Sequence, residues 1–188
     1  DVFNVIEKLM VNLFKKFSSK KILNEKFLRI PYHDAMKKYG TDKPDLRNPL
    51  VIEDLTNVFS REDIKFDMFK KLVQTGAIVR AIVTKDTKNK PRSFFDNINN
   101  WAKEQGAAGL AYFSIDKEKE VLAKGPIGKF FSSESIKEIM KICNAKEGDS
   151  IFLACGNVDE VERILALARN RIAEDLNLID EEQFSFCW

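Results

Sequence analysis

One imidazole, three thiols and two glycine-containing turns are the places where this sequence could do chemistry. His33 is the only histidine. A general base or a nucleophile's partner needs further groups held within hydrogen-bond reach. No cysteine stands near His33 in sequence, so a surface or helix-packing role is expected. A single histidine also excludes multi-histidine metal sites. Cys143, Cys155 and Cys187 form no C-x-x-C pair and show no metal-ligand spacing. Cys143 and Cys155 sit in apolar patterns and read as core thiols, which pack as small hydrophobes. Gly125-Pro126-Ile127-Gly128-Lys129 has a faint look of a phosphate loop. Only Pro126 and Ile127 separate its glycines, and Phe130 follows the lysine where a hydroxyl should ligate magnesium, so it reads as a turn into a helix. Gly106 and Gly109 are too few for a dinucleotide fingerprint, and they precede a strand where that motif must follow one. The expectation is no catalytic residue, no cofactor-binding residue and no metal ligand.

The segment that stands out is Tyr39-Gly40-Thr41-Asp42-Lys43-Pro44-Asp45-Leu46-Arg47-Asn48-Pro49. Its two prolines fix φ and push the residues before them into extended backbone. Asp42, Lys43, Asp45 and Arg47 put charges of both signs side by side. The aspartates can accept backbone N–H bonds, and Arg47 can make a bidentate contact. A rigid crossover loop held by its own ion pairs and a hinge beside a charged ligand both fit this pattern. A second charged feature runs from Lys15-Lys16-Phe17-Ser18-Ser19-Lys20-Lys21 to Lys26 and Arg29. It suits a solvated helix end, where lysine complements the helix dipole, better than a phosphate contact. Residues 1–50 hold eleven Lys/Arg against six Asp/Glu, and residues 51–188 hold twenty against twenty-three.

The elements that must position these residues follow from composition and period. The chain has 188 residues, 44 % of them apolar, with 15 Phe, so a real core can be buried in one domain or one and a fraction. That composition excludes disorder. No apolar run approaches the ~20 residues of a membrane helix, and three cysteines exclude a disulfide scaffold. A soluble protein of a reducing compartment is expected.

Val2, Val5, Ile6, Leu9, Leu13 and Phe17 have helical spacing and predict an inward helix face. Phe27–Ile30 predicts a short strand, and Pro31 with Gly40 brackets a helix over Tyr32–Tyr39. Leu55–Phe59 is apolar and of open type, and the alternation of Ile64, Phe66 and Met68 predicts a strand. Further strands are expected at Ala77–Val83, Leu110–Ile115, Val121–Ala123 and Ile151–Ala154. Helices are expected over Pro91–Gln105, from a Ser135/Glu138 capping box to Cys143, and from an Asn157/Glu160 cap to Asp175. Mixed elements without β-α-β alternation predict an α+β fold with a mainly antiparallel sheet and packed helices.

The chain starts at Asp1 inside an amphipathic pattern and stops on the aromatic, strand-like Phe184-Ser185-Phe186-Cys187-Trp188, so a piece of something larger is expected. Tyr39–Arg47 resembles the YG[ST]DKPDLR segment of bacterial-type aspartyl-tRNA synthetases, which joins the class II catalytic domain to a large insert. Gly106-Ala107-Ala108-Gly109-Leu110-Ala111-Tyr112 resembles the GAKGLAY stretch of that insert. Lys129-Phe130-Phe131 resembles its AKF segment, with Gly128 where alanine is usual. Gly148-Asp149-Ser150-Ile151-Phe152 resembles its GD-x-IF strand entry. The helix Val158–Asp175 with Leu176-Asn177-Leu178 resembles the D-L-G-L helix end, and Phe184–Trp188 the strand that returns to the catalytic domain.

The insert is the GAD domain, also found in the B subunit of the glutamyl-tRNA amidotransferase, and that subunit or a tRNA-docking module is the alternative. The resemblance implies a parent that makes aspartyl-adenylate from aspartate and ATP with magnesium, then passes the aspartyl group to tRNA. It implies a cytoplasmic homodimer with no membrane or DNA partner. Motif 2 (F-R-[DE]) and motif 3 (G-L-D-R) do not occur in the chain, so the implied piece lies between them and is inactive alone, without catalytic residues. Residues 1–50 would belong to the catalytic domain and linker, 51–176 to the insert, and 177–188 to the return strand. Lys43 and Arg47 are the candidate tRNA contacts.

Overall fold

The computed structural model describes residues 2–118, 120 and 122–188. Helix α1 (Val2–Phe17) forms where the period places it, but it turns the other way. Val2, Val5, Leu9, Leu13 and Phe17 are exposed, while Glu7 and Val11 are buried. An aromatic cluster sets this orientation. The Phe14 ring meets Phe184 and Phe186 edge-on at 4.7 and 4.9 Å, and Phe3 meets Trp188 at 4.7 Å. The Glu7 carboxylate accepts the indole N–H of Trp188 at 2.8 Å, which allows a charged residue on the covered face.

Strand β1 (Lys21–Ile22) pairs in parallel with β7 (Gln183–Phe184), which begins the predicted terminal strand. The strand predicted at Phe27–Ile30 reduces to one parallel bridge, Leu28 to Cys187. Two-residue strands carry too few alternations for a period-2 pattern to register. Helix α2 (Tyr32–Tyr39) has the bounds that the Pro31/Gly40 bracket predicts. Gly40 takes φ +69°, the left-handed cap that glycine adopts without a Cβ clash.

The main sheet has five strands: β2 (Ile52–Asp54), β3 (Ile78–Thr84), β4 (Ala111–Ile115), β5 (Ala123–Lys124) and β6 (Ser150–Gly156). Their spatial order is β2-β3-β6-β4-β5, and every neighbouring pair is antiparallel. The fold is therefore α+β with an antiparallel sheet, as the mixed elements predict. Strands β3 and β6 pair along seven residues, from Ile78↔Gly156 to Thr84↔Ser150.

Helices cover both faces of the sheet. On one face α3 (Thr56–Phe59), α4 (Asp67–Gln74) and α6 (Ser133–Ile142) pack Phe59, Phe69, Ile136 and Ile139 onto Val79, Phe113 and Leu153. On the other, α5 (Arg92–Glu104) and α7 (Val158–Asp175) pack Ile98, Ile164, Leu165, Ala168 and Ile172 onto Ile82, Tyr112 and Phe152. Central strands buried on both faces read as continuous apolar runs, which is why β3, β4 and β6 were visible.

Two further expectations change. The alternation at Ile64, Phe66 and Met68 is not a strand; Asp67 opens α4 instead. The rings of Phe66 and Phe69 meet at 4.7 Å, one helical step apart, and Phe66 stacks on Phe130 at 5.2 Å. The capping box lies three residues earlier than Ser135/Glu138. Ser132 is the N-cap of α6, its hydroxyl accepting the Ser135 N–H while the Ser135 hydroxyl accepts the Ser132 N–H. Part of the strand predicted at Val121–Ala123 lies outside the described residues, and β5 takes up Ala123–Lys124.

Candidate functional site

The charged segment after α2 is built against α7 from its first residue. A Cβ on Gly40 would come within 2.4 Å of the Glu162 carbonyl oxygen and 3.0 Å of the Ala166 Cβ, so only glycine lets α2 end this close to α7. Beyond it the chain turns through Thr41, whose hydroxyl accepts the Lys43 N–H at 3.2 Å. The Lys43 ammonium lies 3.0 and 3.1 Å from the Asp42 carboxylate oxygens, and its side chain is 84 % exposed.

Arg47 and Asp45 form a fork. Arg47 donates from Nε to Oδ1 at 3.0 Å and from Nη2 to Oδ2 at 2.7 Å, and its backbone N–H reaches Oδ1 at 3.0 Å. The Arg47 guanidinium holds the Asp45 carboxyl below its ordinary range, against the upward push of burial.

Beneath this loop sits a residue that the sequence reading did not single out. Arg169, on α7, is 1 % exposed. Its Nε donates to the Leu50 carbonyl at 2.6 Å, and its Nη2 donates to the Asn48 and Asp45 carbonyls at 2.7 and 2.8 Å. The Tyr39 ring lies under the guanidinium, 4.9 Å from centroid to Cζ. Asn48 returns the contact, its side-chain amide donating to the Arg169 carbonyl at 3.0 Å and its Oδ1 accepting the Leu50 N–H at 3.0 Å. A planar, five-donor guanidinium reaches several carbonyls from fixed, separated nitrogens, whereas an ammonium has three donors on one atom. Burial pushes the Arg169 pKa down, but arginine starts so high that it stays charged. The signal for Arg169 was a charge on the inward stripe of α7, between Leu165 and Ile172.

The structure thus brings Lys43 and Arg47 onto one loop and treats them differently. Lys43 projects into solvent beside Asp42, whereas Arg47 is held by Asp45. The loop is fixed by its own ion pairs and also from below, so a rigid crossover describes it better than a hinge.

The other chemically capable groups stay apart. The His33 side chain is 87 % exposed and 3.7 Å from Asp34. Burial pushes the Cys143 thiol up to about 12 and the Cys155 thiol up to about 11. Among the described residues no group of three or more His, Cys, Asp or Glu side chains converges as a metal site. The turn at Gly125–Lys129 leads into a 3₁₀ turn over Gly128–Phe130, consistent with a turn before a helix.

Residues 69–165, just over half of the chain, match the family described as GAD domain. The chain belongs to the GAD domain family. The matched region runs from within α4 to the middle of α7 and takes in four of the five strands of the main sheet. The charged loop at Tyr39–Pro49 and Arg169 lie outside it, on either side. Over its whole length the chain is 65 % identical to the Aspartate--tRNA(Asp/Asn) ligase of Pelagibacter ubique (strain HTCC1062), covering 32 % of that protein. It is 47 % identical to the protein of the same name from Ehrlichia ruminantium (strain Gardel), again over all 188 residues and 31 % of the relative. For the Gluconobacter oxydans (strain 621H) protein the identity is 43 %, over 31 % of its length. The chain therefore spans about a third of the length of the curated relatives it matches.

Proposed function

We propose that the chain is the part of an aspartate–tRNA ligase that carries its GAD insertion domain and the junction to the catalytic domain. The observation that carries this reading is 65 % identity along the entire chain, junction segment included, to a protein named for that activity. A match confined to the insert would have left the amidotransferase subunit equally open. In this reading residues 1–50 and 177–188 belong to the catalytic domain and 51–176 form the insert. The separation of the β1–β7 pair from the five-stranded sheet supports that division.

The parent makes aspartyl-adenylate from aspartate and ATP with magnesium, then transfers the aspartyl group to tRNA. It does so as a cytoplasmic homodimer. Because the relatives' names give both tRNA(Asp) and tRNA(Asn), the parent charges both. The transition-state charge sits on phosphoryl oxygens, which calls for preorganised cations. Among the described residues the buried cations are already engaged, Arg169 with backbone carbonyls and Arg80 with Glu162 at 2.8 Å. The reading therefore assigns the ATP and magnesium chemistry to the rest of the parent, and to this chain the spacing and orientation of the insert.

Lys43 and Arg47 are the proposed tRNA contacts at the junction, with Lys43 the stronger because its ammonium faces solvent. Filter binding of tRNA to the parent across a salt series tests this. Lys43→Ala is expected to weaken binding and to lower the salt slope by roughly one. Unchanged affinity and slope would remove Lys43 from the interface. Sequencing the flanks tests the larger reading: F-R-[DE] upstream and G-L-D-R downstream are expected, and their absence would overturn it.

A further inference from the structure

At one corner of the insert, on the α5 face of the sheet, lies a concavity of about 450 Å3 that the ligase reading does not use. Its size falls within the roughly 300–1,000 Å3 of small-molecule sites. The apolar part is Pro126 with the edge of a buried aromatic group, Phe95 being 4 % and Tyr112 7 % exposed. Phe95 of α5 and Tyr112 of β4 stack at 4.8 Å with 15° between their planes, and Phe152 backs them at 5.7 Å from Phe95. The Tyr112 hydroxyl donates to Asp96 at 3.0 Å, which fixes that ring.

The polar part is cationic: Lys88, Lys90, Arg92 and Lys124 line the same space. Two of these are committed. Lys88 is held by Glu147 at 2.7 Å and Asp116 at 3.4 Å, and Arg92 by Asp96 at 3.1 Å. Among the described residues Lys90 and Lys124 make no ion pair, and both are exposed. Between these cations α5 begins. Its N-cap is Pro91, with no side-chain cap, and Arg92 of its first turn lines the same space, so the positive end of a 13-residue helix lies beside it. The region 51–188 has a slight acidic excess, so these cations are not part of a general basic surface.

We propose that this concavity binds a nucleoside phosphate, with the base on Pro126 and the exposed edges of Phe95 and Tyr112 and the phosphate between Lys90, Lys124 and the start of α5. A flat apolar body and a dianionic tail are what this wall and this rim would each recognise, and one nucleotide carries both. The ligand is either a free mononucleotide or an unpaired nucleotide of an RNA. The site owes nothing to the glycine spacing at Gly125–Gly128, which does not form a phosphate loop. It is independent of the ATP chemistry assigned elsewhere in the parent.

The test is 15N-resolved NMR titration of the 188-residue chain with AMP, with inorganic phosphate and with a single-stranded RNA octamer. AMP and the octamer are expected to shift the amides of Phe95, Tyr112 and Gly125, and phosphate alone to bind more weakly than AMP. Lys90→Glu with Lys124→Glu changes two exposed side chains, and its circular dichroism is expected to match the parent sequence. It is expected to weaken binding by at least about tenfold, as loss of two charge-assisted contacts implies. Tighter binding of the octamer identifies an RNA nucleotide, and binding of AMP alone identifies a free one. Shifts that fall elsewhere, survive the double charge reversal, or are matched by phosphate alone would overturn the proposal.

Discussion

Arg169 shows how one side chain can hold two parts of a chain together. Its guanidinium serves three carbonyls that lie 119–124 residues away in sequence. Removing it leaves those carbonyls buried, each at a cost of about 1–3 kcal/mol. Arg169→Met is therefore expected to destabilise the protein by about 3–5 kcal/mol, comparable to breaking a buried charged contact. Urea unfolding at constant m-value measures this, and amide exchange at residues 45–50 should accelerate more than in the sheet. Arg169→Lys should recover only part of the loss, since an ammonium cannot reproduce the fork. Cys143 makes a second expectation at this scale. With its thiol pushed up to about 12 by burial, it should resist Ellman's reagent at pH 8 and react only on unfolding. The sign follows on the alkaline side: the unfolded thiol ionises first, so Cys143 costs stability as pH rises above about 9. The charged segment at Tyr39–Pro49 was legible because prolines and alternating charges are local signals. The Arg169 contact was not, because a sequence does not say which distant carbonyls a buried donor will meet.

Elements were readable where their ends carry their own chemistry. Proline and glycine bracket α2, and Asn157 caps α7 with its Oδ1 2.9 Å from the Glu160 N–H. Period alone placed α1 but not its orientation: it is turned by Phe14 and the Glu7–Trp188 bond, contacts to a segment at the other end of the chain. α4 was hidden because Ile64, Phe66 and Met68 mimic a strand over too short a run to test helical spacing. Gly40→Ala should cost on the order of 1–3 kcal/mol for the left-handed conformation alone, and more from the collision with the Glu162 carbonyl. Its thermal midpoint would report this. The cap of α6 gives a pH dependence. Arg61, with the Ser132 hydroxyl, holds the Asp63 carboxyl down to about 2. A carboxyl depressed in the folded state stabilises above its unfolded value of 3.8, and that contribution is lost as pH falls toward about 2. Ser132→Ala removes the cap, costing about 1 kcal/mol, and should flatten the acid limb of stability against pH between 4 and 2. An unchanged limb would place the acid sensitivity elsewhere.

At the scale of the molecule, the sequence specified an antiparallel α+β fold but not that helices would cover both faces of the sheet. That arrangement depends on which side each amphipathic face meets, a tertiary choice that patterning leaves open. The charge division was legible, and it has a structural counterpart. The basic first fifty residues hold α1, β1 and α2, and the mildly acidic remainder holds the five-stranded sheet. The first fifty end in the loop that Arg169 fixes. Function is least legible at this scale, because the chain spans about a third of its curated relatives and the proposed chemistry belongs to the remainder. Aspartate-dependent ATP–pyrophosphate exchange, measured on the full-length parent and on the 188-residue chain side by side, tests the proposal most directly. Exchange by the parent and none by the chain is the expected result; exchange by the chain alone, or none by the parent, would contradict it.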